Sequence, residues 1–529
     1  MPRRLRDPRA AASASAVAAA VRRHWLAAAL FGAGLVLRIL TQLAYRPAIF
    51  YIDTSRYLQD AMGNDPVGYR APLRLILLIG NLDVVAAIQH LLGLAIAGAL
   101  YLTLLRRGTP RWLAALAIAP VLLDAYQLQA EQMIMPDIWF EALIVAGIAV
   151  LLAGPAISSP TMARIVAAGL ILGISATFRQ VGEILILPAL IYLLALRGGW
   201  RRVLRRMAVL AAAFAVPILA YSTASLVVTG HFWLSHSGVT TTYGRMAAAA
   251  DCATLKLPAI ERALCPTPAQ RALGPDGLEH SPLSPRVRYY VAPALKAQAS
   301  SLVARFNHQV LTQQPQLVIA AIARDSVKLF ALTRTTSPGD TPISRWQFQV
   351  SYPYLAPHAT RQDVRAATDQ FGGGSPALWR PVAEFLRSYQ LNGGYTPGPL
   401  LAFCVLAGLA GSILAGLRQR PAGRATARRA AAREVAERED PAREVRGRQT
   451  EPGRPPLALA CLLFFGCGAF VLLMSDVFEF SWRYQLPALV TLPPAGVLAV
   501  AAFTSRRATG GGPMAERLAE SGEEVGLRD

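Results

Sequence analysis

The chain has 529 residues, 53% of them hydrophobic and only 16% charged, with 53 Lys+Arg against 32 Asp+Glu for a formal charge of +21. So apolar a composition excludes an ordinary soluble protein. The positive charge does not point to nucleic acid either, because the arginines cluster in alternate loops between apolar runs and no basic face is interleaved with base-stacking aromatics.

Runs of about 17–25 apolar residues read as membrane helices. Residues 25–43 form the first. No small-residue cleavage site precedes Tyr45, so this run is expected to stay as a span rather than leave as a signal peptide. Residues 84–105, 138–153, 207–228, 399–417, 456–474 and 486–503 are further strong candidates, and 113–128, 165–177 and 184–196 are shorter or interrupted ones. The expectation is an all-α polytopic membrane protein of about ten spans. Arg22/Arg23, Arg106/Arg107/Arg111, Arg201/Arg202/Arg205/Arg206, the basic run 418–454 and Arg506/Arg507 mark the cytoplasmic side, which puts both termini in the cytoplasm.

This topology divides the chain. Residues 1–228 form an N-terminal membrane module, 229–397 a large extracytoplasmic loop and 398–417 a membrane helix. Residues 418–455 are a charged cytoplasmic linker, 456–505 the C-terminal membrane helices and 506–529 a cytoplasmic tail. In the first outer loop, 54–62 reads as a short surface helix with Asp53 as N-cap, and 73–82 is apolar but too short to span. In the large loop, 317–332 reads as an amphipathic helix, 268–285 as a mobile Pro/Gly strip and 371–376 as a hinge-like break. Cys252 and Cys265 lie in this loop, where an oxidising compartment permits a disulfide; Cys404, Cys461 and Cys467 fall in spans as small apolar residues.

Polar residues at membrane depth gather in four outward-facing clusters. The first holds Asp53, Arg56 and Tyr57 with Gly68-Tyr69-Arg70-Ala71-Pro72-Leu73-Arg74. The second is Glu131-Gln132-Met133-Ile134-Met135-Pro136-Asp137-Ile138-Trp139-Phe140. Thr177-Phe178-Arg179-Gln180-Val181-Gly182-Glu183 is the third, and Asp476-Val477-Phe478-Glu479-Phe480-Ser481-Trp482-Arg483-Tyr484 the fourth.

In order and topology these clusters resemble bacterial GT-C glycosyltransferases, notably the phospholipid-carrier-dependent enzymes related to protein mannosyltransferases and the lipid A aminoarabinose transferase. The loop stretches Ala250-Asp251-Cys252 and Leu264-Cys265-Pro266 are similar to actinobacterial members. The resemblance spans about residues 25–230 and 455–505. It departs from the pattern at Pro136-Asp137, where relatives carry Ser-Glu, and at the lone Asp53, where many carry an Asp-Glu pair; both departures leave the acceptor and a divalent cation open.

The resemblance implies a GT-C-like helical bundle and a polyprenyl-phosphate-linked sugar donor. The acceptor would be a glycan, lipid or protein hydroxyl, and transfer would invert the anomeric carbon. The residue types suit that chemistry. A hydroxyl must lose its proton as the new bond forms, and a carboxylate can take it; Asp53 is the candidate base. The transition state resembles an oxocarbenium ion and the leaving phosphate needs cationic partners, for which guanidinium geometry is apt. Arg70, Arg74, Asp137, Arg179, Arg483 and Tyr57 are the candidate phosphate- and substrate-binding residues. Simpler roles stay open. Asp53 and Asp137 can be helix caps, Arg179 and Arg483 can reach lipid headgroups, Arg70 and Arg74 can be structural ion-pair partners, Tyr57 can be an interfacial aromatic, and Glu479 is expected to face solvent. The rival class is a transporter or flippase without covalent chemistry, which calls for charges buried mid-span and paired.

Overall fold

The computed structural model describes residues 19, 21–51, 53–58, 66–154, 159–196, 199–235, 237–351, 361–417 and 455–504. The readings on the 418–455 linker (all but its last residue) and the C-terminal tail lie outside the described residues, as do residues 59–62 of the short helix expected over 54–62.

The described chain is almost wholly helical. Six helices are each long and apolar enough to cross a membrane: Trp25–Ala44 (α1), Leu82–Arg106 (α4), Trp200–Thr229 (α10), Gly398–Leu417 (α17), Pro455–Phe478 (α18) and Pro487–Thr504 (α19). Between α1 and α4 lie the short helices Thr54–Leu58 (α2) and Arg70–Ile79 (α3). Arg111–Leu123 (α5) and Ala125–Gln132 (α6) form a pair bent by 51°. Asp137–Leu151 (α7), Met162–Phe178 (α8) and Ile186–Leu194 (α9), the last preceded by a 3₁₀ turn at Gln180–Leu185, complete the N-terminal module. The fold is that of a multi-pass helical membrane protein.

Local chemistry sets the helix ends. The Asn81 side chain accepts from the Val84 amide at 3.1 Å to start α4, and Thr161 does the same for Arg164 at 3.4 Å to start α8. Gly230, at φ 76°, closes α10 in the left-handed region. Residues 113–128 read as one run, yet the chain breaks at Asp124. The Asp124 carboxylate caps α6 from the Tyr126 amide at 3.0 Å and also pairs with Arg334 at 2.9 Å, so the polar residue ends one helix and begins the next.

Packing is continuous around the bundle. α1 and α4 pack on α5, α4 on α7, α7 on α8 and α8 on α10; α5 also meets α19, which packs with α17 and α18. One core runs through these helices, from Ile96 and Leu100 through Ile118, Ile144 and Leu172 to Phe464 and Leu498. The apolar residues Leu75, Leu78 and Ile79 of α3 are 65%, 79% and 87% exposed, as expected of a short helix lying against lipid rather than through it.

The region between α10 and α17 folds over one end of the bundle. Its main helices are Gly238–Ala249 (α11), Gly274–His280 (α12), Ala299–Gln313 (α13), Pro315–Lys328 (α14), Arg361–Phe371 (α15) and Arg380–Leu391 (α16). Tyr243, Leu264, Leu278, Tyr289, Leu302 and Phe306 make its own core. The 268–285 strip, expected as a mobile Pro/Gly stretch, is folded into short helices. Thr267 begins a helical turn with a capping box, Gly274 turns the chain at φ 69°, and Leu278 is fully buried. Glycine and proline there build tight joints between short helices. Cys252 and Cys265 are bonded, Cα atoms 6.0 Å apart, beside this core.

Polar contacts hold this region to the membrane helices. Arg245 pairs with Asp325 and donates to the Asp476 carbonyl at 2.9 Å, and Ser326 donates to the Asp476 carboxylate at 2.8 Å. Tyr45–Arg46 pairs antiparallel with Ala377–Leu378. The intervening Gly372, Gly373 and Gly374 all have positive φ. A Cβ on Gly373 would stand 2.6 Å from that of Pro47, so this turn needs glycine.

Candidate active site

After α1 the chain leaves helical geometry over residues 45–51, just before Asp53. It is pinned by the Tyr45–Arg46 ladder, by a parallel bridge from Ile49 to Met133, and by Thr54, whose hydroxyl accepts from the Tyr51 amide at 2.8 Å. The Asp53 carbonyl receives the Tyr57 amide at 3.3 Å as α2 begins. Its carboxylate turns instead toward Arg483, whose Nη1 lies 2.9 Å from Oδ2, with Arg56 at 3.5 Å from Oδ1.

Arg483 comes from the turn between α18 and α19, 430 residues away in sequence. Its Nε and Nη2 each donate to Asp137 Oδ2, at 3.1 and 2.9 Å, and Nε also reaches Oδ1 at 2.9 Å. Asp137 opens α7, where a carboxylate also meets the positive end of the helix. Arg179, just past the end of α8, pairs with the same carboxylate and lies 4.7 Å over the Tyr484 ring. One guanidinium thus bridges two acids while a second shares one of them. Such planar two-point contacts are the geometry arginine offers and lysine cannot.

Aromatic rings hold the cluster. The Arg483 guanidinium lies 5.5–5.8 Å from the Trp346, Tyr51 and Tyr484 centroids, and Tyr51 packs on Trp346 at 4.8 Å. Burial pushes the Tyr51 hydroxyl up to about 12. Tyr57, buried against Tyr69 at 5.3 Å, is raised mainly by burial and then by the Asp53 charge. Burial works against the charged form of Arg483, but the Asp137 and Asp53 charges outweigh it and hold the guanidinium protonated.

Asp53, Tyr57, Arg179 and Arg483 all line one cavity of about 310 Å³. Asp137 lies directly behind Arg483, 3% exposed. Arg70 and Arg74 are placed differently. Arg70 donates to the Arg56 carbonyl and Arg74 to the Leu58 carbonyl at 2.7 Å, so both grip the C-terminal end of α2, and neither is among the cavity lining. Gly68 explains how α3 meets this site. Its amide donates to the Thr177 carbonyl at 2.8 Å, and a Cβ there would fall 2.4 Å from the Thr177 hydroxyl.

The loop region completes the cavity with Thr241, Asp276, Glu279, His280, Arg345 and Trp346, none of which the sequence singles out as site residues. Glu479 was expected to face solvent. It is instead 8% exposed and lines the cavity, because the loop helices fold back over the turn that carries it. Burial, then the nearby Asp276 and Glu279 charges, push its carboxyl well above the usual range. Among the described residues no group of three or more His, Cys, Asp or Glu side chains is placed to hold a metal ion.

No family model matches this chain, and no curated protein matches it significantly. Among solved structures it is similar to a Saccharomyces cerevisiae protein O-mannosyltransferase Pmt1–Pmt2 complex bound to the sugar donor, at 15% identity and a TM-score of 0.30. The match covers 44% of this chain and 37% of that one, an overlap that carries no argument about activity.

Proposed function

We propose that the protein is an integral-membrane glycosyltransferase of GT-C type, moving a sugar from a polyprenyl-phosphate donor to an acceptor hydroxyl on the extracytoplasmic face of the cell membrane. The observation that carries this reading is the meeting of Asp53, Arg483 and Arg179 in one cavity, from segments far apart in sequence.

The chemistry follows from the geometry. Donor phosphate arriving at Arg483 and Arg179 meets two guanidinium groups already aligned by Asp137. It competes with Asp53 for Arg483 Nη1, and binding of donor therefore releases the Asp53 carboxylate. The freed carboxylate accepts the proton of the incoming hydroxyl as the acceptor oxygen bonds to the anomeric carbon. The bond from that carbon to the phosphate oxygen breaks, and the electron pair leaves on polyprenyl phosphate, stabilised by the arginines. Attack opposite the phosphate inverts the carbon.

The transport reading calls for paired charges mid-bundle, and Arg38, His90 and Glu131 form such a set. Those residues are absent from the cavity lining, and Arg38 is spent on the carbonyls of Gly34, Val121 and Leu122. They serve the fold better than a substrate path.

A panel of radiolabelled polyprenyl-phosphate sugars, offered to the purified full-length protein in lipid, tests the reading. Transfer of label to an added hydroxyl acceptor is expected from at least one donor. Movement of an intact labelled donor across vesicles with no transfer product would replace it with the flippase reading.

A further inference from the structure

Part of the cavity has no role in handling phosphate. Glu479, Glu279, Asp276 and Ser481 line it together with Thr241 and His280. Most of these side chains are engaged. Asp276 pairs with Arg345 at 3.2 Å, Glu279 accepts from the Thr241 hydroxyl at 2.5 Å, and His280 stands 3.8 Å from Glu279.

Two atoms are not. Glu479 Oε2 and Ser481 Oγ are buried without a hydrogen-bond partner among the described residues, on side chains 8% and 2% exposed. Buried polar atoms are almost always paired, and an orphan on a residue that lines a cavity points to a partner that arrives from outside. A carboxyl oxygen accepts and a serine hydroxyl both donates and accepts. Together they match adjacent hydroxyls of a sugar, which also donate and accept.

We propose that Glu479 and Ser481, flanked by Glu279 and Asp276, form the acceptor subsite, binding hydroxyls of an uncharged sugar and rejecting acceptors that present an anion there. This rests on the transferase reading. Charge supports the choice: the Asp276 and Glu279 carboxyl groups in one wall repel an incoming carboxylate or phosphate, while the arginines across the same cavity attract one. The donor is thereby held in one orientation, phosphate at Arg483 and Arg179. The raised Glu479 carboxyl fits a group that trades hydrogen bonds with hydroxyls rather than one that pairs with a cation.

The experiment compares wild type, Glu479→Gln and Glu279→Gln, all full length, with the donor that wild type uses. Acceptors are a neutral methyl glycoside and the matching methyl uronoside. Wild type should favour the neutral glycoside in kcat/KM by about tenfold or more, the scale of one or two hydrogen bonds to a charged site. Both variants should raise acceptor KM by about tenfold and keep donor KM within about twofold, and Glu279→Gln should also narrow the preference between acceptors. Equal use of both glycosides by wild type, or unchanged acceptor KM in both variants, overturns the proposal; so does a donor KM that rises as far as the acceptor's. If wild type transfers no sugar from any donor, the transferase reading fails by itself. Thermal stabilisation by the neutral glycoside then reads the subsite: a Tm rise in wild type that Glu479→Gln abolishes supports it, and no rise overturns it.

Discussion

Two buried charge networks in this molecule use the same residue types for different ends. In the first, Arg38 of α1 donates to Glu131 at 2.7 Å, Glu131 meets His90 at 2.8 Å, and His90 reaches Gln132 at 2.7 Å. Gln89 ties the same stretch by donating to the Glu131 and Met133 carbonyls, at 2.8 and 2.6 Å. Arg38 is 2% exposed and Glu131 not at all. Gly93 leaves room for the Glu131 carboxylate, since a Cβ there would stand 2.1 Å from it. In the second, Arg483 and Asp137 are similarly buried and Arg179 partly so, but the network ends on Asp53, whose side chain is 20% exposed at a cavity. Burial with arginine marks neither function nor structure. What separates the two is whether the last acid is enclosed by its partners, as Glu131 is by Arg38 and His90, or stands at open space, as Asp53 does.

The largest expected effect breaks the first network. Arg38→Met takes the arginine from the buried Glu131 and should destabilise the protein by about 3–5 kcal/mol, read as a lower unfolding midpoint and a poor folded yield in detergent. An unchanged midpoint would mean that the network is not a strut. The disulfide should follow. Cys252→Ser opens a closed loop with a sequence separation of 13 and should cost the outer region about 3 kcal/mol by the chain-entropy argument. Acceptor use should weaken more than donor binding, because the bridge braces helices over the cavity rather than the phosphate cluster. Equal losses would tie the bridge to the whole fold.

Arg483→Lys sharpens the contrast from the other side. Lysine keeps the charge but cannot span Asp137 and Asp53 at once, so turnover should fall about 10²-fold while the unfolding midpoint moves far less than for Arg38→Met. Full activity in the lysine variant would break the two-point argument. The smallest effect is a pH slope. The Glu479 carboxyl is raised by burial and by Asp276 and Glu279, so between its ordinary value and its raised value the folded state holds more protons than the unfolded state. Stability must therefore fall as pH rises through that window, and Glu479→Gln should flatten the slope. A slope identical in both proteins would assign the pH response to other groups.

Much of the bundle was legible because apolar runs bounded by arginine are a strong signal: each of the ten expected runs coincides with a helix or a broken pair, though among the described residues six helices are long and apolar enough to cross alone. Asp53, Arg179 and Arg483 stood out as polar groups at span ends. Their partners did not. Arg38 sits in an apolar run and finds Glu131 93 residues later, a pairing that no local period encodes. Asp276, Glu279 and Trp346 come from a loop region whose short helices carry little periodicity, and Glu479 reads as a surface residue until that region folds over it. Residues whose role depends on a distant segment covering them are the ones a sequence conceals.

The central claim is that Asp53 ends its network in order to take a proton. The most direct measurement is turnover of labelled polyprenyl-phosphate sugar by purified Asp53→Asn protein, beside its unfolding midpoint and donor affinity. Turnover should drop by about 10²–10⁴, the scale of a lost general base, with the midpoint near wild type and donor still bound. Near-normal transfer by Asp53→Asn would contradict the account and return Asp53 to the role of a partner for Arg483.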